Sequence, residues 1–531
     1  MVLPIVPTLE VEMDFGNAIL DAEGNAILDA NDAALLDADW ALVEQDMRAK
    51  SPIRIKKGNF GSTQKDRVGD VGTMDFALDN SENNSSELLG MFSPSNANAR
   101  SGFGEETKIR LKLSYGASSK YKFQGLRFDK IDPDSGKYMS ARLTFVTAVD
   151  WFDEAASTLA KGLDVELLQR DDQLLDLLLA VMENPPESTN FSVGPDQYAV
   201  AFHDVMSEST KIMGVLQSLM MSGIGTVFLN GTATTGEELT YRSRNAILSL
   251  TTPVATLDNS MVSLEAPRIG KSRVRKVLGI SHPARVDAAA TSKIFELTQE
   301  IEIAAGETIT FTGRYIDPDQ QAQRIAAIDF VALVADTHYK FSSTSGSGND
   351  LNADLVIVDT NNADAVDYQF TNNSGVIGYL WFLELFAKGV FIYNTIEHVA
   401  EDTSVPKGQE MTFDMIYQDQ FNTAKNITES LLAWESVEEN ERAVVHFKAN
   451  RNATLMAAAI DVEPGDLVSI AEDVIGLDRL FFANGVELEI GHGGRNVDVW
   501  WTCVPARQGQ LFCILNLVGS AELNTTAILS F

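Results

Sequence analysis

Between residues 51 and 147 the chain alternates apolar and polar side chains in five successive segments: IRIKK at 53, GTMDFAL at 72, KIRLKLS at 108, YKFQGLRF at 121 and ARLTFVT at 141. A period of two gives an extended strand one face to bury and one to solvate. The clusters DNSENNSS (79–86), SPSNANARSG (93–102) and DPDSG (132–136) stand between the segments and supply turn residues. This pattern predicts an antiparallel β-domain, a small barrel or sandwich, within residues 1–150.

The period changes near residue 152. DVELLQRDDQLLDLLLAVMENPP sets Leu167, Leu168, Leu174, Leu175, Leu178 and Leu179 near helical spacing and stops at Pro185 and Pro186. AVAFHDVMSESTKIMGVLQSLMMSG repeats the pattern and ends at Gly223. IGTVFLNGTATTGEELTYRS follows as a hairpin, with Asn230-Gly231 favouring a tight turn. Residues 151–249 are therefore expected to form an α+β module.

Strand patterns return in KVLGISHPARV, IEIAAGETITFTGRY, ADLVIVD and VDYQFTNNS, which predicts a β-sandwich-like domain over 250–409. The most apolar run, GVIGYLWFLELFAKGVFIY at 375–393, carries Glu384 and Lys388 and reads as buried strand, so no stable membrane insertion is expected. QFNTAKNITESLLAWESVEENE at 420–441 has a helical stripe of Ala424, Ile427, Leu431 and Trp434. A last β-domain within 410–531 follows, with strands near AVVHFKAN, GVELEIGH, VDVWWTC and LFCILNL. The fold class expected is mainly β with an α+β module and several barrel or sandwich domains. A chain of 531 residues exceeds what a single core organises, which agrees with three or four domains.

GNAILDA, GNAILDA and DAALLDA recur every eight residues between 16 and 38. Eight residues turn a helix by about 800°, which scatters the copies around it, whereas an even period keeps them in one register of an extended chain. Glu23, Gly24 and Asn25 then sit between matched apolar runs as a hairpin turn. A calcium loop fits poorly: Asp29 and Asn31 match two ligand positions, but residue 33 is Ala and residue 34 is not Gly.

The formal charge of −34, from 41 basic and 75 acidic residues, repels phosphate and anionic lipid and excludes a nucleic-acid reader; an acidic surface suits a conduit better than a binder. The start MVLPIVPTLEVEMDF lacks a basic n-region and a long apolar h-region, so secretion by that route is not expected. Cys503 and Cys513 are equidistant from Gln508, where a hairpin would set them opposite; a reducing compartment of synthesis favours two buried thiols.

Catalytic motifs are absent from the sequence: it contains no GxSxG elbow, HExxH, Walker A loop or GxGxxG following a strand. GHGGRN (491–496) has no nucleophile near it and reads as a turn. The six histidines, 203, 282, 338, 398, 446 and 492, form no HxH or HxxxH pair. No catalytic, cofactor-binding or metal residue is nominated, and no cofactor or enzyme activity is expected.

Several phrases, taken in order, resemble the tail-tip or baseplate hub proteins of tailed bacteriophages over most of the chain. VEMDF, an Asp-rich connector, SPIRIKKG and DRVGDVGTMDFALDNSE resemble that family's opening β-domain. RDDQLLDLLLAVM and VLQSLMMSGIGTVFLNG resemble its helical hub segment. APRIGKSRVRKVLG, IAAGETITFTGRYIDPD and SGSGNDLNADL resemble the next β-domain, and IYQDQFNTAKNITESLLAW the approach to the closing one. The resemblance implies a structural virion protein, a homotrimer whose two tube-like domains, within 1–150 and 410–531, carry a sixfold tail tube into a threefold tip. It implies distal tail or tail-tube proteins, a tape measure protein and tail fibres as partners. DNA would pass through the lumen without sequence-specific binding. The place implied is the distal end of the tail, after assembly in the host cytoplasm. The connector at 16–39 is longer than the family's, and no lytic region is recognised. Two other readings stay open: a receptor-binding or fibre-attachment tail protein, marked by an aromatic carbohydrate platform or fibrous repeat, and a β-rich carbohydrate-active enzyme, marked by two carboxylates about 5–10 Å apart in a cleft.

Overall fold

The computed structural model describes residues 5–18, 36–37, 40–47, 51–61, 66–136, 142–267, 273–320, 323–405, 408–436, 442–506, 511–512 and 527–528. Strands take up 47% of the chain and helices 14%, which makes the class mainly β, with several sheets and a few helices. Among the described residues no sheet closes into a barrel.

Alternation in the N-terminal segments produces the expected strands: β1 (Thr8–Asp14), β2 (Ile53–Gly58), β3 (Asp70–Asp79), β4 (Lys108–Tyr115), β5 (Ser118–Gly125), β6 (Arg127–Pro133) and β7 (Leu143–Val149). YKFQGLRF is divided between β5 and β6. A short strand, Trp40–Leu42, joins β1, β4 and β5 in one sheet. The other sheet crosses the sequence boundaries drawn above. With β8 (Ser263–Glu265), β9 (Ala443–Lys448), β10 (Leu477–Gly491) and β11 (Asn496–Pro505), its path runs β8-β9-β11-β10-β2-β3-β7-β6.

The join is antiparallel, from Gly485 opposite Gly58 to Ile490 opposite Ile53. Both strands alternate, so one register buries Ile53 and Ile55 together with Val486, Leu488 and Ile490. A one-residue slip would expose all five. One core results, drawing on Met74, Phe76, Phe123 and Phe128 from one end of the chain and Val445, Phe447, Val499 and Trp501 from the other. Each such side chain contributes roughly 1.5–3 kcal/mol by leaving water. The helix Ala453–Asp461 packs on β4 and β5 and adds Leu455, Met456 and Ile460 to the same core.

In the middle, the helices Trp151–Ser157, Asp171–Ala180 and Ile212–Gly223 share a core with the sheet of Ser188–Phe191, Glu238–Arg242 and Thr226–Asn230. Leu174, Leu175, Leu178 and Leu179 are buried as the helical spacing predicts, but Leu167 and Leu168 are not helical. Glu166–Arg170 is a strand paired with Gln197–Ala201, and Leu168 takes a φ of +54°. The helix begins at Asp171 because its buried carboxylate accepts hydrogen bonds from Tyr198 (2.6 Å) and Tyr241 (2.9 Å), which fix that end of the chain. The second helix is shorter than its apolar pattern, since Gln197–Ala201 is taken by the same ribbon; it ends at Gly223, with Ile224 left-handed at the C-cap.

Thr226–Asn230 and Glu238–Arg242 pair as a hairpin, but a loop of seven residues joins them. Gly231 is needed for close approach: a Cβ there would stand 1.6 Å from the Tyr121 carbonyl oxygen. Farther along, Thr308–Arg314, Ala365–Asn372 and Leu355–Asn361 share an apolar core with the sheet around the long strand Gly378–Ile392. That strand contains most of the run at 375–393 and alternates buried with half-buried residues. The helix Phe421–Glu435 buries Ala424, Ile427 and Leu431 against the strands Val274–Ser281, Ile396–Glu401 and Gln409–Met415.

Of the Asp-rich repeat, Asn17–Ala18 pairs antiparallel with Leu36–Asp37; residues 19–35, including Glu23, Gly24, Asn25, Asp29 and Asn31, lie outside the described residues. Cys503 is buried and free, between Ala443 and Ala483 in the sheet, and burial pushes its thiol pKa up. β11 is thus flanked on both sides; residues 507–510, where the hairpin centred on Gln508 would turn, and Cys513 lie outside the described residues.

Candidate interface: the outer face and ends of the joined sheet

The register of the eight-strand path fixes which side chains stand together on its solvated face. One row runs Lys448, Asp498, Glu489, Arg54, Asp75, Thr147, Lys130 across seven strands. A neighbouring row runs Ser263, His446, Trp500, Glu487, Lys56, Thr73. Cross-strand partners at this spacing interact directly. Arg54 pairs with Glu489 at 3.0 Å, Lys448 with Asp498 at 3.4 Å, and Thr147 donates to Asp75 at 2.6 Å. Lys130 pairs with Asp132 at 2.9 Å. His446 lies flat on Trp500, with ring centroids 4.5 Å apart, and its Nε2 is 2.9 Å from Asp498. Partial burial pushes the Asp498 carboxyl upward, but His446, Asn496 and Lys448 outweigh it and hold its pKa below the usual range.

The face mixes both signs of charge, with acids in excess. Arg54, Lys56, Lys130 and Lys448 stand against Asp75, Asp132, Glu265, Glu487, Glu489 and Asp498, in a chain whose formal charge is −34. Three of the four cations have a carboxylate within 3.4 Å. The face therefore offers no array of free cations to grip phosphate.

The path ends at β8, three residues long, and at β6, which carries Asp129, Lys130, Asp132 and Pro133. Short length, charge and proline are the devices that keep an edge strand from pairing indiscriminately.

Behind the sheet, a buried ionic junction ties three parts of the chain together. Glu463, following the helix Ala453–Asp461, accepts hydrogen bonds from Lys57 of β2, from Lys122 of β5 at 2.5 Å and from the Gly231 amide at 3.0 Å. Lys122 also donates to the Ile460 and Val462 carbonyls at 2.8 and 2.9 Å. Desolvation alone would raise the Glu463 pKa; Lys122, Lys57 and Lys120 reverse that and lower it. The Lys122 pKa is lowered by burial to about 8. Sequence reading missed this junction, because its members lie 232 to 406 residues from Glu463 and lone charges inside strand patterns give no sign of burial.

GHGGRN is the turn between β10 and β11. The histidines are spread over the fold: His398 is 2.9 Å from Ser281, His282 pairs with Asp414, and His446 is on the outer face. Among the described residues no three His, Cys, Asp or Glu side chains converge as a metal site, and no helix is long and apolar enough to cross a membrane.

No protein-family model and no curated protein matches the chain. Solved structures that it resembles include tail proteins. The 43 kDa tail protein of prophage MuSo2 from Shewanella oneidensis is 8% identical, over 94% of this chain and 99% of that one, with a TM-score of 0.47. A tail protein from Neisseria meningitidis MC58 is 9% identical over 94% and 96%, also at 0.47. Prophage tail protein gp18 from Listeria monocytogenes is 8% identical over 93% and 94%, at 0.37.

Proposed function

We propose that this chain is a structural, non-catalytic component of a bacteriophage tail, a tail-tip or baseplate hub that joins the tail tube to the distal tip. The observation that carries the reading is the joined sheet. Two β-regions more than 300 residues apart build one eight-strand path with a solvated outer face and two ends. A path with distinct ends lends itself to head-to-tail association, which yields a ring when the rotation closes. In a homotrimer β6 of one copy would meet β8 of the next, giving about twenty-four strands around one axis. The N-terminal and C-terminal regions, within 1–150 and 410–531, would act as six similar units against a sixfold tube. The sequence resemblance of SPIRIKKG, DRVGDVGTMDFALDNSE and IYQDQFNTAKNITESLLAW to hub proteins supports the same reading.

In this arrangement the outer face lines the conduit. Its acids outnumber its cations, in keeping with the acidic lining expected from total charge, and its cross-strand ion pairs leave DNA few phosphate contacts. The modules at 151–249 and 250–409 would face the tube, tape measure and fibre partners. Immunogold electron microscopy on virus particles, with antibody against this chain, tests the reading. Label confined to the distal tail end is expected. Label along fibres would favour receptor binding, and none at all with accessible epitopes would favour the carbohydrate-active enzyme.

A further inference from the structure

The helix Phe421–Glu435 covers one face of the sheet Ile396–Glu401, Val274–Ser281, Gln409–Met415, and the register fixes what the other face presents. Val277, Phe413 and Met415 pack with Ala424 and Ile427 of the helix, so the residues between them on each strand point away from it. Three rows cross the strands on that far side: Glu401, Lys276, Glu410; Val399, Leu278, Thr412; and Glu397, Ile280, Asp414. Every corner of this grid is a carboxylate, and its centre is apolar. Val399 is 57% exposed. Leu278 and Ile280 are half-buried and join none of the apolar cores among the described residues. Arg275 reaches Glu401 at 3.4 Å and Glu410 at 3.5 Å, Lys276 reaches Glu410 at 3.9 Å, and His282 pairs with Asp414, which leaves the acids in excess.

We propose that this open face is a docking site for a basic amphipathic helix of another protein. Strands stand about 4.8 Å apart and residues rise about 3.4 Å, so the corner acids mark out a rectangle of roughly 10 by 14 Å. A helix is about 10–12 Å across. Laid along Val274–Ser281, it sets its apolar stripe on Leu278, Ile280 and Val399 and its lysines or arginines over the acids of both flanking strands. An apolar patch rimmed by charge is the usual form of such a surface, and the sign of the rim selects the partner. A second copy of the chain, itself at −34, has the wrong sign, and so has an anionic membrane. One helix on a face of this size buries only about 300 Å² per side, so the complex is weak, in the micromolar range. The inference rests on this sheet alone and needs neither the ring nor the tail.

The test is fluorescence anisotropy of the full chain with a labelled amphipathic helical peptide of leucine and lysine, at an ionic strength near 0.15 M. A peptide of the same composition in scrambled order is the control for general attraction to an acidic chain. The amphipathic peptide is expected to bind at micromolar Kd and the scrambled one at least tenfold more weakly. Val399→Asp adds negative charge and removes apolar surface, and should cost at least tenfold in affinity without changing Tm. Glu397→Lys should weaken binding severalfold and flatten its salt dependence. Equal binding of the two peptides, or an affinity that survives Val399→Asp, would overturn the proposal. Self-association of the chain without peptide that Val399→Asp abolishes, seen by sedimentation, would overturn it too and assign the face to a second copy.

Discussion

Replacing Glu463 by Gln removes the one carboxylate that Lys57 and Lys122 share while keeping the shape of the side chain. Glu463 and both lysines are at most 3% exposed, so no solvent takes over the lost charge. Breaking a buried pair by removing one partner costs about 3–5 kcal/mol. An independent ceiling comes from letting a lysine shed its proton: from an ordinary pKa near 10.4, neutrality at pH 7 costs about 4.6 kcal/mol. The two figures agree, and the carbonyls of Ile460 and Val462 that remain around Lys122 place the expected loss near the lower one. The pH dependence has a definite sign. A lysine whose pKa is lowered in the fold binds fewer protons there than when unfolded. Its stability penalty is full below the folded pKa and is relieved as pH rises toward the unfolded one. The loss in Glu463→Gln should therefore shrink from pH 7 to pH 10. Urea unfolding followed by the fluorescence of buried Trp151 and Trp501 measures it, and Lys57→Met in the Gln background should recover about 1 kcal/mol or more. A loss below about 1 kcal/mol at pH 7, or one that does not change with pH, would refute the reasoning.

Asp150 and Asp171 have pKa values raised by burial to about 7, and Glu237 to about 9. Acids raised in the fold stabilise it below their unfolded pKa and lose that contribution as pH climbs through the folded one, so stability should fall from about pH 5 to pH 9. Glu237→Gln should remove the part of that slope above pH 7, as denaturation at stepped pH will register. Gly231→Ala should lower Tm sharply, by a loss of about 2 kcal/mol or more, because its Cβ would collide with the Tyr121 carbonyl; an unchanged Tm would mean that the loop yields freely. Removing residues 19–35 behind a short linker should leave the unfolding free energy in urea within about 0.5 kcal/mol of the parent, since Asn17–Ala18 and Leu36–Asp37 already bring the ends together.

What could be read from the residues was local. Ala424, Ile427 and Leu431 repeat at three and four residues and bury one helix face, and the strands at 53, 72, 108 and 141 follow from alternation. Where tertiary contacts override local pattern the reading failed. Leu167 and Leu168 continue a helical spacing, but pairing with Gln197–Ala201 and the tyrosines on Asp171 delay the helix. Gly231 looked like a turn residue and is instead a point of contact with β5. The join of β2 to β10 sets Arg54 beside Glu489, 435 residues away, and no periodicity within either strand encodes which partner it meets. The same holds for Glu463, whose lysines sit singly in strands that otherwise read as ordinary amphipathic segments.

The measurement that bears most directly on the central claim is a cryo-electron-microscopy reconstruction of the assembled protein from purified tails. The account predicts three copies in a ring, with β6 of each paired to β8 of the next and the face bearing Arg54, Glu489 and Asp498 lining the bore. A ring in which those strands remain unpaired, or one that turns that face outward, would contradict it.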